Sequence, residues 1–253
     1  MEGARERSRR HVDIPLQPDP AAALSAAARV ALRAPSVHNT QPWHWQVAPD
    51  RLRLYGDERW RLPVADPGGR LLLLSCGTAL HLVRVALRAM GYLPAVRRLP
   101  DTASPQLLAT VTVERPIPVT NDAAALLRAA LDRQTDRRPF ADVPPSQSAL
   151  TAMRTAAALE GGWLQAGETL SAVWLAALTH GLAMQPISAV IEVPAARAVL
   201  HRLLSGIGTP YLAVRVGVTL AGEVAATPRR AAAESISIGS DEDGATRWTP
   251  PRP

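Results

Sequence analysis

The sequence predicts an α+β protein. Three observations carry that expectation. Ala- and Leu-rich stretches of helical spacing alternate with short β-branched runs. A Pro-Asp turn separates two strand-like segments. A helix that ends on glycine and leads into an alternating strand occurs twice, 90 residues apart.

Taken in chain order, Ala21 to Arg33 is Ala-rich and helical. Trp43–Val47 and Arg51–Tyr55 flank the turn-forming Pro49-Asp50 and read as a hairpin. Pro67-Gly68-Gly69 breaks the pattern, and a helix then runs from about Arg70 to Met90, stopped by Gly91. Leu107 to Glu114 alternates as a strand that Pro116 and Pro118 terminate. Helices are expected over 122–134, 144–159, 164–180 and 194–204, with Gly181 closing the third, and Tyr211 to Leu220 is the last strand. Gly77 to Gly91 aligns without a gap on Gly167 to Gly181, matching Gly77/Gly167, Leu80/Leu170, Val83/Val173, Ala86/Ala176 and Gly91/Gly181. An internal duplication is the simplest account. It divides the chain into a tail (1–19), a first half (20–120), a second half (121–230, shortened near 154–163) and a disordered C-terminal tail (231–253).

Composition narrows the function. The chain has 253 residues, 47% hydrophobic and 20% charged, which is globular rather than disordered. All 28 of its Lys+Arg are arginine, against 22 Asp+Glu, leaving a formal charge of +6. With no lysine there is no Schiff base and no P-loop lysine. The single cysteine, Cys76, excludes an internal disulfide and a Cys-based zinc site and suits a reducing cytoplasm. No uninterrupted apolar run reaches the length of a spanning helix, and no signal peptide is expected. Nucleic-acid binding is not expected either: the arginines are scattered, and one Phe and three Tyr offer little stacking. His38 and His44 lack partners at metal-ligand spacing.

Two stretches carry chemistry. Ala34-Pro35-Ser36-Val37-His38-Asn39-Thr40-Gln41-Pro42-Trp43 is a proline-held loop with hydroxyl, amide and indole groups that could meet the edge of a planar heterocycle. An ordinary helix-to-strand loop with an Asx-turn would look the same. Arg133-Gln134-Thr135-Asp136-Arg137-Arg138-Pro139-Phe140 places guanidinium groups at i and i+4 around a hydroxyl at i+2, which matches a phosphate clamp. A solvated basic loop is the alternative.

Together, A-P-S-x-x-N-x-Q-P-W and R-x-[ST]-x-R-x-x-F resemble the FMN-dependent nitroreductase superfamily, and their order in one chain is most similar to its dormancy-associated actinobacterial Acg-type branch. Gly181 to Ile187 resembles that family's G-L-x-x-x-P-I loop, and the strand at 211–220 is followed by Thr227-Pro228-Arg229-Arg230. The resemblance implies a mostly antiparallel central sheet flanked by helices, in two pseudo-symmetric halves that play the two subunits sharing a flavin in ordinary members. A monomer would then suffice. It implies that Pro35, Ser36, Val37 and Asn39 meet the ring and ribityl chain, and that Arg133, Thr135 and Arg137 serve the phosphate and flavin O2 side. Pro186, Ile187 and Ser188 would present a backbone N–H to flavin N5, and Arg229 and Arg230 would complete the phosphate pocket. The implied activity is transfer of two electrons from NAD(P)H through FMN to a nitro compound, quinone or similar small-molecule acceptor, with chemistry on the cofactor. The alternative in the same branch is a protein that binds or sequesters FMN with little turnover. The second half lacks an A-P-S-x-x-N loop and the first lacks a clean arginine motif, so one FMN per chain is expected.

Overall fold

The structure is a computed structural model that describes residues 18–157, 162–205, 208–220, 222 and 224–239. The first helix, α1 (Pro20–Ala31), starts where Asp19 caps it, accepting from Ala22 N at 3.0 Å, with proline in the first turn, where its missing N–H costs nothing. Its apolar face, including Leu24 and Ala27, is fully buried.

The expected hairpin forms. Strands β1 (Trp43–Val47) and β2 (Arg51–Gly56) pair antiparallel with Trp45 opposite Leu54. The helix α2 (Arg70–Ala89) crosses behind them and ends at Gly91, whose φ of 84° is the left-handed conformation that glycine takes freely. Two further strands follow, β3 (Tyr92–Arg98) and β4 (Leu107–Pro116), and pair antiparallel. By length and composition α2 could cross a membrane, contrary to the expectation from uninterrupted apolar runs, but 78% of its most apolar window is buried inside the protein.

The rest of the described chain is mainly helical: α3 (Asn121–Asp132), α4 (Gln147–Ala157), α5 (Trp163–Thr179), α6 (Ala189–Glu192) and α7 (Pro194–Leu203). Two strands, β5 (Leu182–Ile187) and β6 (Ala213–Val218), lie among these helices and form their own antiparallel pair. Residues 231–239 are not a tail. They form α8 (Ala232–Ser235) and β7 (Ile236–Ile238), and β7 pairs parallel with β1 through Trp45 and Ile236. A short apolar run with an open sheet edge to join overrides the polar composition around it. The outer parts of both expected tails, 1–17 and 240–253, lie outside the described residues, as does much of the expected shortening (158–161).

The main sheet therefore runs β3-β4-β2-β1-β7, antiparallel except at β7, with helices against it: a mixed α+β fold. Its core includes Trp45, Leu52, Leu54, Leu80 and Leu87, all at 0% exposure. At the centre α2 and α5 cross with no side chain between them. A Cβ on Gly77 would fall on the Leu164 carbonyl oxygen and 2.8 Å from the Gly167 Cα; one on Gly167 would fall on the Leu74 carbonyl oxygen and 2.8 Å from the Gly77 Cα. Four residues on, His81 Nδ1 meets Ser171 Oγ at 2.9 Å, again across a separation of 90 residues. Beside this crossing the buried Glu168 accepts from Arg84 (2.6 Å) and Arg98 (2.6 and 2.9 Å), tying α5 to α2 and β3.

Candidate functional site

The A-P-S loop follows α1 and is held in an unusual shape. His38, Asn39 and Gln41 have φ of 50°, 58° and 50°, the left-handed region that non-glycine residues rarely enter. Each such residue costs about 1–2 kcal/mol and persists only where its surroundings fix it. Here they do. Ser36 Oγ accepts from Gln41 N (2.9 Å), Ser75 Oγ accepts from Val37 N (3.2 Å), and Thr78 donates to Pro35 O (2.6 Å). Ser75 and Thr78 are buried hydroxyl residues of α2, one turn apart on the face toward the loop.

Pro35, Ser36, Val37 and His38 form one wall of a cleft of about 220 Å³. Leu74, Ser75 and Thr78 of α2 and Leu170 and Trp174 of α5 supply its floor. Thr135, Arg137, Pro186, Ser188 and Leu212 close the other side. The cleft thus lies where the A-P-S loop, the arginine motif and the end of β5 come together.

Two chain segments run from the cleft into a cluster of arginines. From the loop side, Asn39 follows His38 and turns away, donating to Pro228 O (3.0 Å) and accepting from Arg229 Nη1 (2.6 Å). From the motif side, Arg133 precedes Thr135 and lies buried at 3% exposure, its guanidinium 4.7 Å from the Trp174 ring centroid. Arg133 and Arg229 both donate to the Arg33 carbonyl, at 3.0 and 3.1 Å. The Arg33 side chain reaches Leu131 O at 2.6 Å. Among the described residues no carboxylate pairs with any of the three. Burial, then Arg229 and Arg33, push the Arg133 guanidinium down to about 9, and burial with Arg33 lowers Arg229 to about 10. Arg133 Nε and Nη1 are buried without a hydrogen-bond partner. Two orphaned cationic donors among like charges are costly, and an anion would satisfy them.

The acid within the motif does not serve that role. Asp136 is occupied by Arg138, which donates from Nε at 3.0 Å and from Nη2 at 2.7 Å; the Arg138 hydrogen bond is the main reason its carboxyl sits below the usual range. Arg137 and Thr135 are left facing the cleft.

No protein-family profile matches the chain. Three proteins of Mycobacterium tuberculosis are similar to part of it. One, named "Putative NAD(P)H nitroreductase", is 45% identical over 129 residues, which is 50% of this chain and 37% of that relative. Another, "Putative NAD(P)H nitroreductase acg", is 36% identical over 132 residues, 52% of this chain and 40% of its own length. A third, named only as uncharacterized, is 36% identical over 121 residues, covering 46% and 35%. The matched stretch is similar to part of two proteins named putative nitroreductases, the acg protein among them. The match spans well under half the length of each relative.

Against that background the expected site residues divide into three sets. Pro35, Ser36, Val37, Thr135, Arg137, Pro186 and Ser188 line the cleft. Arg133, Arg229 and Asn39 build the adjoining cluster. Arg230 and Ile187 are placed elsewhere. The Arg230 guanidinium donates to the Thr40 (2.8 Å) and Gln41 carbonyls and lies 4.0 Å from the Trp60 ring centroid, while Ile187 pairs with Ala213 in the strand ladder. Arg33 was missed, because an arginine at a helix end is normally solvated. His38, which the sequence marks only as lacking a metal-ligand partner, lines the cleft. Cys76 is buried with its thiol on Pro42 O (3.2 Å) and its pKa pushed up by burial, an inert core position.

Proposed function

We propose that the chain is an FMN-dependent oxidoreductase that takes two electrons from NAD(P)H and passes them to a nitro compound, a quinone or a similar acceptor. The observation that carries it is the pair of orphaned donors on Arg133, in an arginine cluster with no carboxylate partner among the described residues, adjoining a cleft whose floor includes Leu74, Leu170 and Trp174. FMN has that composition: a dianionic phosphate at one end and a flat heterocycle at the other. Arg133, Arg229 and Arg33 would hold the phosphate. Thr135, Pro35, Ser36 and Val37 would meet the ribityl chain and ring, with Arg137 supplying positive charge and the Ser188 turn supplying polar backbone. Arg230 shapes the loop in this reading and does not touch the ligand.

The bound flavin would supply the two-electron chemistry. The protein would hold it, with Leu170 and Trp174 at the floor of the cleft and Leu212 on the side opposite the A-P-S loop. The reciprocal contacts of Gly77 with Gly167 and of His81 with Ser171 support two related halves around one site. In this proposal both site motifs belong to a single chain, so a monomer is active. The test is anaerobic addition of NADPH to the chain equilibrated with FMN. Bleaching of the yellow colour, restored by a quinone, is expected. A bound flavin that stays yellow would refute the reductase, and a chain that takes up no FMN would refute the site.

A further inference from the structure

Histidine is the side chain that ordinarily exchanges a proton between pH 5 and 8, and His38 lines the cleft. Its Nε2 lies 2.9 Å from Glu192 Oε1, on α6. An ionised carboxylate only accepts, so Nε2 carries the hydrogen and Nδ1 is the exchangeable position. Nδ1 makes no hydrogen bond to a described residue. Glu192 is itself held ionised: the Ser188 hydroxyl, against some desolvation, and His38 keep its carboxyl below the usual range. The His38 side chain is 54% exposed, open to proton supply from water. Arg137 is the other charged group lining the same cleft. An ordinary rim ion pair would need none of the left-handed backbone that turns His38 into this position.

We propose that His38, oriented by Glu192, is the proton donor to the acceptor as it is reduced. This rests on the oxidoreductase reading above. For a quinone, NAD(P)H is oxidised to NAD(P)+ and gives up a hydride, which brings one hydrogen and the electron pair. The Nδ1–H bond of the imidazolium breaks, an O–H bond forms at the quinone oxygen, and hydroquinone leaves. Water then returns a proton to Nδ1. A donor of this kind contributes to acceptors that need a proton and nothing to those that do not.

The test uses the full chain loaded with FMN, with NADPH as reductant, and compares menadione with ferricyanide, which accepts electrons without protons. His38→Gln should lower the menadione-to-ferricyanide rate ratio about 100-fold. Glu192→Gln should lower it less and shift the pH profile of the menadione reaction. Independently of turnover, nitrogen NMR of the flavin-free chain should show the neutral His38 ring protonated on Nε2, and a tautomer mixture in Glu192→Gln. An unchanged rate ratio in His38→Gln overturns the proton donor. An unchanged tautomer in Glu192→Gln overturns its positioning by Glu192. A wild-type chain that reduces neither acceptor overturns the reading of the site, and this assignment with it.

Discussion

The two sides of the α2–α5 crossing are built differently. On one side, a five-stranded sheet, α1 and α2 enclose a core in which Trp45, Leu52, Leu54 and Leu80 are fully buried. On the other, β5, β6 and α4 share a small cluster of Ala149, Ala177 and Leu182, while Leu203 is 74% exposed and Leu204 and Leu220 are each 48% exposed. The difference assigns roles. A loop holding three residues at positive φ needs a rigid frame, and the A-P-S loop hangs on the well-packed side. The arginine motif and the end of β5 sit on the sparse side, whose attachment depends on the glycine crossing and on Glu168 with its two arginines. The cleft is complete only while that attachment holds.

Breaking the crossing should have the largest effect. Gly167→Ala drives a Cβ into backbone that cannot yield as a side chain would, and should cost about 3 kcal/mol or more in urea unfolding and weaken flavin retention. Leu54→Ala, within the sheet core, should cost about 3 kcal/mol and leave the sparse side's local structure intact, as read by hydrogen exchange.

Acid should act next. Burial, with Arg84 nearby, lowers His81 to about 3, and burial is the main cause that lowers His44 to about 4, both from 6.5. The unfolded chain binds more protons below 6.5, so the stability from keeping these rings neutral is present above that pH. It is lost as pH falls toward 4 for His44 and toward 3 for His81. Each contributes a slope of about 1.4 kcal/mol per pH unit in its window. The urea midpoint should therefore drop between pH 7 and pH 5, and His81→Gln should flatten the drop; a midpoint independent of pH there would contradict the burial of these rings. Leu203→Ala, on the exposed face of α7, should change stability by no more than about 0.5 kcal/mol, the smallest effect of the set.

The sequence was most legible where local chemistry and tertiary context agree. Gly91 and Gly181 end α2 and α5, and Pro49-Asp50 marks the hairpin. It misled at residues 231–239, where a polar stretch becomes a strand because β1 has an open edge, which only the assembled sheet provides. The site divides in the same way. The residues of the two motifs that line the cleft were legible through the family resemblance, since spacing alone leaves an ordinary turn and a solvated basic loop equally open. Arg33 could not, because its carbonyl becomes the shared acceptor of Arg133 and Arg229 only after folding. The Glu192 partner of His38 lies 154 residues away, beyond any local pattern. Arg230 shows the converse: next to a ligand candidate in sequence, it is directed by Trp60 and the loop carbonyls to another task.

The central claim is that an anion-seeking arginine cluster lies beside the cleft that would take the flavin ring. Comparing FMN with riboflavin, which lacks the phosphate, tests it most directly. By fluorescence titration at one ionic strength, FMN should bind at least about tenfold more tightly, since each charge-assisted hydrogen bond to the phosphate is worth about 1.5–3 kcal/mol. Arg133→Ala with Arg229→Ala should erase the difference. Equal affinity of the wild-type chain for FMN and riboflavin, or no binding of either, would contradict the account.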